Sequence, residues 1–321
     1  MTNLDWLFVD EAQDLNPIQH FLISRLKPTN LVVVGDPLQA IYSFRGAMPD
    51  SMAKLTAEGF THLPLQVSFR LPKTVTHLLN KTNDRLTTAK SLPGLIKTIT
   101  TPVSLDELHE TYYPKDTHPT YQPSAIICRN NAPLYKAALA CIGANLPFTL
   151  SDSTWGQSLV KDITKKFQPA DLPFINPDAM ISALMSEWTA KGLSTETITD
   201  RCMCLISLAQ AADCTSAAQV LNALKNLLTK SSTHPTFILS TAHKAKGQEY
   251  PLVVHLSPSL IPSKFAATPE ALAQETNIAY VINSRTLDTL VFLEATNLIV
   301  NPHGLSTSTF RPRTTQRQPL P

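Results

Sequence analysis

Charged side chains are scarce in this sequence, at 16% of 321 residues against about 25% in an average protein. With a net charge of only +2, a uniformly basic surface is excluded, and any nucleic-acid contact has to sit in a local groove. Glycine is also sparse, at 9, whereas proline reaches 25, so the connecting segments are stiff. Five cysteines, an odd number, argue against a disulfide scaffold; the only close pair, Cys202 and Cys204, has one residue between them on a predicted helix, where neither a zinc knuckle nor a redox C-x-x-C forms. Buried thiols in a reducing compartment are expected. No apolar run approaches the roughly 20 residues that span a bilayer, and acids at positions 5, 10 and 11 exclude a secretory signal. A soluble intracellular protein without a membrane partner follows, nuclear or cytoplasmic. The 43% hydrophobic content over this length leaves room for roughly two domains.

What the chain does have is an apolar run that stops abruptly at acids, Leu4 to Asp14 (LDWLFVDEAQD). Leu7, Phe8 and Val9 suit a strand buried on both faces, and carboxylates straight after it lie at the carboxyl edge of a parallel sheet, where open α/β sheets bind ligands. Asp10 there can hold Mg²⁺ through its water shell while Glu11 polarises a water for attack on a phosphate. The same residues also read as an acidic loop capping the next helix, with Asp14 or Asn16 as N-cap and Pro17 in the first turn. The stretch alone leaves both readings open.

Ile18, Phe21, Leu22 and Leu26 recur at helical spacing, and Asn30 to Asp36 reads as a second buried strand, completing a strand–helix–strand crossover. A short helix is predicted from Asp50 to Gly59, an extended stretch over 63–67, and a helix from Pro72 to about Leu79. Few firm elements are visible from there to about Gln122. Ser124 to Arg129 is a strand, followed by a helix that Asn131 caps and Gly143 ends. Residues 151–232 are Ala/Leu-rich with helical periodicity and read as an all-helical insertion. Strands return at 237–239, 252–254 and 290–293, with a helix over about 269–284, and the tail beyond about Val300 is expected to be disordered.

Four more stretches concentrate polar chemistry. GDPLQAIYSFRGA (35–47) leaves the second strand beside the first acids; its Gln39 can touch a γ-phosphate or the attacking water. Tyr42 and Phe44, flanked by Arg45, suit base stacking on a single strand, although alternate aromatics are more often core. SFR (68–70) brings Arg70 near the same edge, or simply to a surface ion pair. STAHKAKGQEY (240–250) packs His243, Lys244, Lys246, Gly247 and Glu249 into one turn, where backbone and ammonium groups can hold a phosphate and Glu249 a ribose hydroxyl. NIAYVINSR (277–285) ends a helix in Arg285, a placement that the helix dipole alone also favours.

In this fixed order, DEAQD, GDPLQAIYSFRGA, SFR, STAHKAKGQEY and NIAYVINSR resemble superfamily 1 DNA helicases of the UvrD/Rep type, most of all the F-box DNA helicase branch. The likeness covers about 4–150 and 233–294. It implies an α/β, RecA-like P-loop NTPase architecture with one partial and one complete parallel-sheet domain. On that pattern 1–63 is the end of the first RecA-like domain, 64–150 and 233–300 form the second, and 151–232 is a helical insertion like the family's 2B domain. The resemblance further implies ATP and Mg²⁺ as cofactors and 3′→5′ tracking along single-stranded DNA. Asp10 then binds Mg²⁺, Glu11 is the general base, Gln13 and Gln39 sense the γ-phosphate, and Arg70 and Arg285 are the arginines of hydrolysis. Phe69 stacks adenine, Gly247 lies in the nucleotide-binding turn and Glu249 contacts the ribose. Tyr42, Phe44, Arg45, His243 and Lys244 face DNA.

Two departures qualify the likeness. No G-x-x-x-x-G-K-[ST] string occurs; the nearest, Gly94-Leu95-Ile96-Lys97-Thr98, lacks glycine before lysine and follows the acidic motif rather than preceding it. The last motif reads Ile-Asn-Ser-Arg-Thr where the family usually has Ala-x-Thr-Arg-Ala. The expectation is therefore the C-terminal part of a helicase whose partner is an N-terminal segment carrying the Walker A loop, with an exposed edge on the shortened first sheet. A non-catalytic remnant that binds nucleic acid or a partner is the alternative. A divalent-metal nuclease has little support, because no acid-x-Lys cluster accompanies Asp10 and Glu11.

Overall fold

The computed structural model describes residues 4–48, 50–56, 59–82, 85–118 and 120–300. The tail expected to be disordered lies outside them. The chain runs β1 (Trp6–Val9), α1 (Pro17–Leu26), β2 (Asn30–Val33), α2 (Ser51–Leu55), β3 (Val67–Ser68), α3 (Lys73–Leu79), β4 (Thr87–Thr88) and β5 (Leu95–Ile99). Then come α4 (Leu105–Tyr112), β6 (Ser124–Cys128), α5 (Asn131–Gly143), β7 (Phe148–Leu150), α6 (Ser153–Lys166), α7 (Pro177–Ala190), α8 (Thr195–Ala211) and α9 (Ala217–Thr229). It closes with β8 (Phe237–Thr241), α10 (Ala242–Ala245), β9 (Tyr250–Leu256), α11 (Pro269–Asn283) and β10 (Thr286–Leu293). Two compact units divide it. One is Met1–Thr98, Pro114–Asn130 and Ser240–Glu294; the other is Ile99–Tyr113, Asn131–Leu239 and Ala295–Pro321.

In the first unit, β1 and β2 pair in parallel from Trp6↔Asn30 to Val9↔Val33, with α1 as the connection. Asn16 caps α1: its side chain accepts from Gln19 N while Gln19 reaches back to the Asn16 amide, and Pro17 follows in the first turn. Burial differs from expectation here. Trp6 and Phe8 are 57% and 69% exposed, and α1 buries none of its residues, so β1 is not covered on both faces. A two-stranded sheet with one helix lacks a second layer, and nothing among the described residues supplies it.

Of the unit's other strands, β3 and β4 pair in parallel as a second two-stranded sheet, while β5, β10, β9 and β6 lie side by side in that order, with β9 parallel to both β10 and β6. Every residue of β6 (SAIIC) and β9 (YPLVVHL) is buried, the near-continuous apolar run that a parallel strand covered on both faces requires. The α/β, RecA-like expectation holds. Element lengths shift, however. α2 spans only 51–55, the 63–67 stretch becomes a strand only at Val67, β9 and β10 are longer than expected, and β5 and α4 occupy the supposedly featureless stretch.

The second unit is chiefly helical. α6 to α9 pack around Leu159, Ile163, Leu184, Trp188, Leu208 and Leu224, all buried, while β7 pairs in parallel with β8. Asp200, on α8, caps α5 across the unit: its carboxylate accepts from the amides of Asn131 and Ala132 and from Asn131 Nδ2.

Candidate nucleotide and strand site

β1 ends at Val9, and the chain turns at once because Glu11 adopts a left-handed backbone, φ 50° and ψ 39°. For a non-glycine residue that conformation costs of order 1 kcal/mol, and such strain gathers at functional turns. Asp10 Oδ1 holds the turn by accepting from Glu11 N at 2.8 Å. Both carboxylates are thereby left exposed. Gln13 lies beneath them, 3% exposed, donating to Glu11 Oε2 at 2.5 Å and accepting from Asp36 N at 3.1 Å. Its seat depends on Gly35, where a Cβ would come within 2.5 Å of Gln13 Oε1.

Asp36 then caps a short turn over Pro37–Gln39, accepting from Leu38 N at 3.0 Å and from Gln39 Nε2 at 2.9 Å. Past that turn, Tyr42 and Phe44 lie with ring centroids 6.1 Å apart, and His243 of α10 meets both, at 5.8 Å and 5.0 Å. The Arg45 guanidinium sits over the two rings at 5.3 Å and 5.5 Å. Phe44 is 64% exposed, so this platform is open on one side. The Tyr42 hydroxyl donates to His243 O at 2.8 Å and His243 Nε2 donates to Ile41 O at 3.1 Å, which fixes the proton on Nε2 in the neutral ring. Burial pushes the His243 pKa down, favouring that neutral form.

Arg70 and Glu249 form an ion pair, and Arg70 Nε is buried without a hydrogen-bond partner. Arg285 is different. It is 1% exposed and donates from Nε to Val281 O at 3.0 Å, from Nη1 to Gln248 O at 3.4 Å and from Nη2 to Ser284 Oγ at 2.8 Å. Burial, and then the nearby Arg70, lower its pKa to about 10. Phe69 is 80% exposed, Lys244 is exposed, and Gly247 turns the chain at φ 83°.

The structure thus gathers the sequence candidates into three groups: Asp10, Glu11, Gln13 and Gln39; Tyr42, Phe44, Arg45 and His243; and Arg70, Glu249 and Arg285. Lys246, which the sequence offers only as one of two ammonium groups for a phosphate, is bonded within the chain instead. Its ammonium lies 2.5 Å from Asp14 Oδ2, 2.9 Å from Gln39 O and 3.6 Å from Glu11 Oε2. The available signal was spacing, since Lys246 follows His243 by three residues at a helical turn. Burial raises the Asp14 pKa against the lowering pull of Lys246.

The donor set suits Mg²⁺ held with a nucleotide. Among the described residues no cluster of three or more His, Cys, Asp or Glu can hold a metal alone, whereas Mg²⁺ commonly takes one or two carboxylates and completes its shell with water and phosphate oxygens. The unpartnered Arg70 Nε supplies a donor for an anion. Also among the described residues, no helix is long and apolar enough to cross a membrane.

Comparison with known proteins bears on the first of these segments. Residues 2–58 match the UvrD/REP helicase N-terminal domain. F-box DNA helicase protein 1 of Schizosaccharomyces pombe is 38% identical over 76 residues, 24% of this chain and 9% of that protein. The ATP-dependent DNA helicase srs2 of the same yeast is 34% identical over 80 residues, 24% of this chain and 9% of its own length. One polypeptide of an ATP-dependent helicase/nuclease from Lactobacillus delbrueckii is 29% identical over 160 residues, 46% of this chain and 13% of that polypeptide. The chain therefore spans only a small part of these relatives. Over part of its length it is similar to the UvrD/Rep-type helicases.

Proposed function

We propose that the chain works as part of an ATP-dependent DNA helicase or translocase that tracks single-stranded DNA in the 3′→5′ direction. The observation that carries this reading is the adjacency of an exposed Asp10–Glu11 turn to an open aromatic platform, with Gln39 and Tyr42 three residues apart on one loop. Asp10 holds Mg²⁺, and Glu11 accepts the proton of the attacking water. Gln13 and Gln39 contact the γ-phosphate, Phe69 stacks the base, Glu249 and the Gly247 turn hold the ribose side, and Arg70 and Arg285 neutralise charge on the transferred phosphoryl group. Tyr42, Phe44, Arg45, His243 and Lys244 hold the strand. Residues 1–63 are assigned to a first RecA-like domain, 64–150 and 233–300 to a second, and 151–232 to a 2B-like insertion. ATP is the nucleotide.

These 321 residues contain no G-x-x-x-x-G-K-[ST], so hydrolysis needs a phosphate cradle from another helicase segment. The exposed apolar side chains of β1 and α1 support such a partner, because a sheet face of this kind is ordinarily covered. The test mixes the chain with a segment bearing the Walker A loop and measures ATPase with and without oligo-dT. DNA-stimulated turnover that Glu11→Gln abolishes is expected; its absence, or an indifferent Glu11→Gln, overturns the reading. A non-catalytic strand binder is the second reading, favoured by the internal bonding of Arg285. Tight oligo-dT binding by the chain, indifferent to nucleotide in the reconstituted pair, would select it.

A further inference from the structure

Four backbone carbonyls of the loop before the aromatic platform are taken up by side chains far along the sequence. Asn277 Nδ2 donates to Pro37 O and Ala40 O, each at 3.1 Å, and Gln274 Nε2 donates to Ile41 O at 2.9 Å. Lys246 Nζ takes Gln39 O at 2.9 Å. Three of these contacts come from α11 and only hold the loop in place. Lys246 does more, because the same ammonium reaches Asp14 at 2.5 Å and Glu11 at 3.6 Å and lies 5.2 Å from the Tyr42 ring centroid. Its side chain is 10% exposed and that of Asp14 21%, so solvent loosens this pair less than a surface one, whereas the Glu11 side chain is 61% exposed. The His243 carbonyl, three residues earlier, meanwhile accepts from the Tyr42 hydroxyl at 2.8 Å. One turn of chain, 243–246, thus grips the aromatic loop with one end and the acidic turn with the other.

We propose that Lys246 is a positioning residue that ties the loop carrying Gln39 and Tyr42 to the acidic turn at 10–14, so that occupation of the aromatic platform alters the setting of Glu11. The proposal rests on the strand-facing reading of Tyr42 and Phe44. A Lys at this place serves as a point charge with three donors, which matches three oxygens arriving from two segments, two from the acidic turn and one from the aromatic loop. Lys246 contacts both loops directly, and whether the two sites bias one shared arrangement is what exchange with and without oligo-dT reads.

Hydrogen exchange on the full chain tests it, comparing wild type with Lys246→Met, Lys246→Arg and Asp14→Asn. Without DNA, Lys246→Met and Asp14→Asn are expected to speed exchange about tenfold or more across 11–15 and 38–42, with α9 unchanged and with Lys246→Arg recovering most of the protection. Acceleration in neither segment, or equally throughout the chain, overturns the tie. With saturating oligo-dT, wild type is expected to slow exchange at both 38–46 and 10–15, and Lys246→Met only at 38–46. Slowing confined to 38–46 in wild type overturns the relay while leaving strand binding intact. Absence of any oligo-dT binding instead defeats the strand-facing reading and the relay with it, and the tie between the loops is then judged by the DNA-free comparison.

Discussion

Replacing Phe44 and Arg45 one at a time separates two kinds of contact with a single strand. Phe44 offers a ring that is 64% exposed and backed edge-on by His243 at 5.0 Å, a rigid face for one base. A stacked base is worth about 1–3 kcal/mol, so Phe44→Ala should weaken oligo-dT binding by about 5- to 150-fold. The loss is apolar and displaces no counterion, so the slope of log K against log salt should stay where it was. Arg45 contributes chiefly charge, with its guanidinium 5.3 Å and 5.5 Å from the two ring centroids. Arg45→Gln removes one phosphate contact and should reduce that slope by about 0.7. Only about a third of the Phe44 surface is withdrawn from water, so truncation costs the fold about 1 kcal/mol and leaves the protein folded at assay temperature. Fluorescence anisotropy with labelled oligo-dT over a potassium chloride series measures both quantities. Unchanged affinity in Phe44→Ala, or a slope altered as much by Phe44→Ala as by Arg45→Gln, would refute the stacking assignment.

Three further outcomes follow from the geometry. His255 is fully buried, its Nδ1 bonded to Asn283 Oδ1 at 2.9 Å and its Nε2 without a partner, and burial lowers its pKa from 6.5 to about 4. The unfolded chain therefore takes up the proton first. Stability conferred by the neutral ring is complete above pH 6.5 and falls by about 3 kcal/mol as pH drops to 4, which urea melts across that range should show, while His255→Gln flattens this component. Asp200→Ala strips three hydrogen bonds from the start of α5 and should cost about 2–3 kcal/mol, seen as faster amide exchange in its first turn; an unchanged melt would count against the cap. Phe8→Thr and Phe21→Ser replace side chains that are 69% and 55% exposed, and should raise solubility with a melting shift of only a few degrees. A large loss of stability in either would show that these rings are packed.

Pattern and chemistry were legible in the sequence to different depths. β6 and β9 were readable because strands covered on both faces have to be apolar throughout. The same signal misjudged β1, since LFV records a need for burial but not whether a covering layer is present. β5 was overlooked because its alternation is broken by Lys97 and Thr98. α4 was overlooked although Ser104 with Glu107 three residues on is a helix-start pattern and Asp106 adds favourable charge to the first turn. At the site, motif order singled out the residues that end strands. It did not reveal the contacts of Lys246, Gln274 and Asn277, whose side chains reach carbonyls more than two hundred residues away in sequence. Local periodicity holds no record of such contacts.

The two arginines assigned to phosphate differ in what must be broken before they can serve. Arg70 has one charged partner, Glu249, plus an Nε already lacking a hydrogen bond, so an arriving phosphate competes with a single half-exposed ion pair. Releasing Glu249 also frees the carboxylate assigned to the ribose, so a nucleotide can trade with both members at once. Arg285 has to give up Val281 O, Gln248 O and Ser284 Oγ from a buried position, and each abandoned carbonyl needs a new donor. Arg70 is therefore the arginine available to a first-encounter complex, and Arg285 engages only if the 281–285 turn rearranges. Glu249→Gln should accordingly strengthen the binding of inorganic triphosphate through Arg70, read by isothermal titration, whereas Arg285→Lys should leave it nearly unchanged. Equal losses from Arg70→Lys and Arg285→Lys would mean that both guanidinium groups already face the same anion and would overturn this order of engagement.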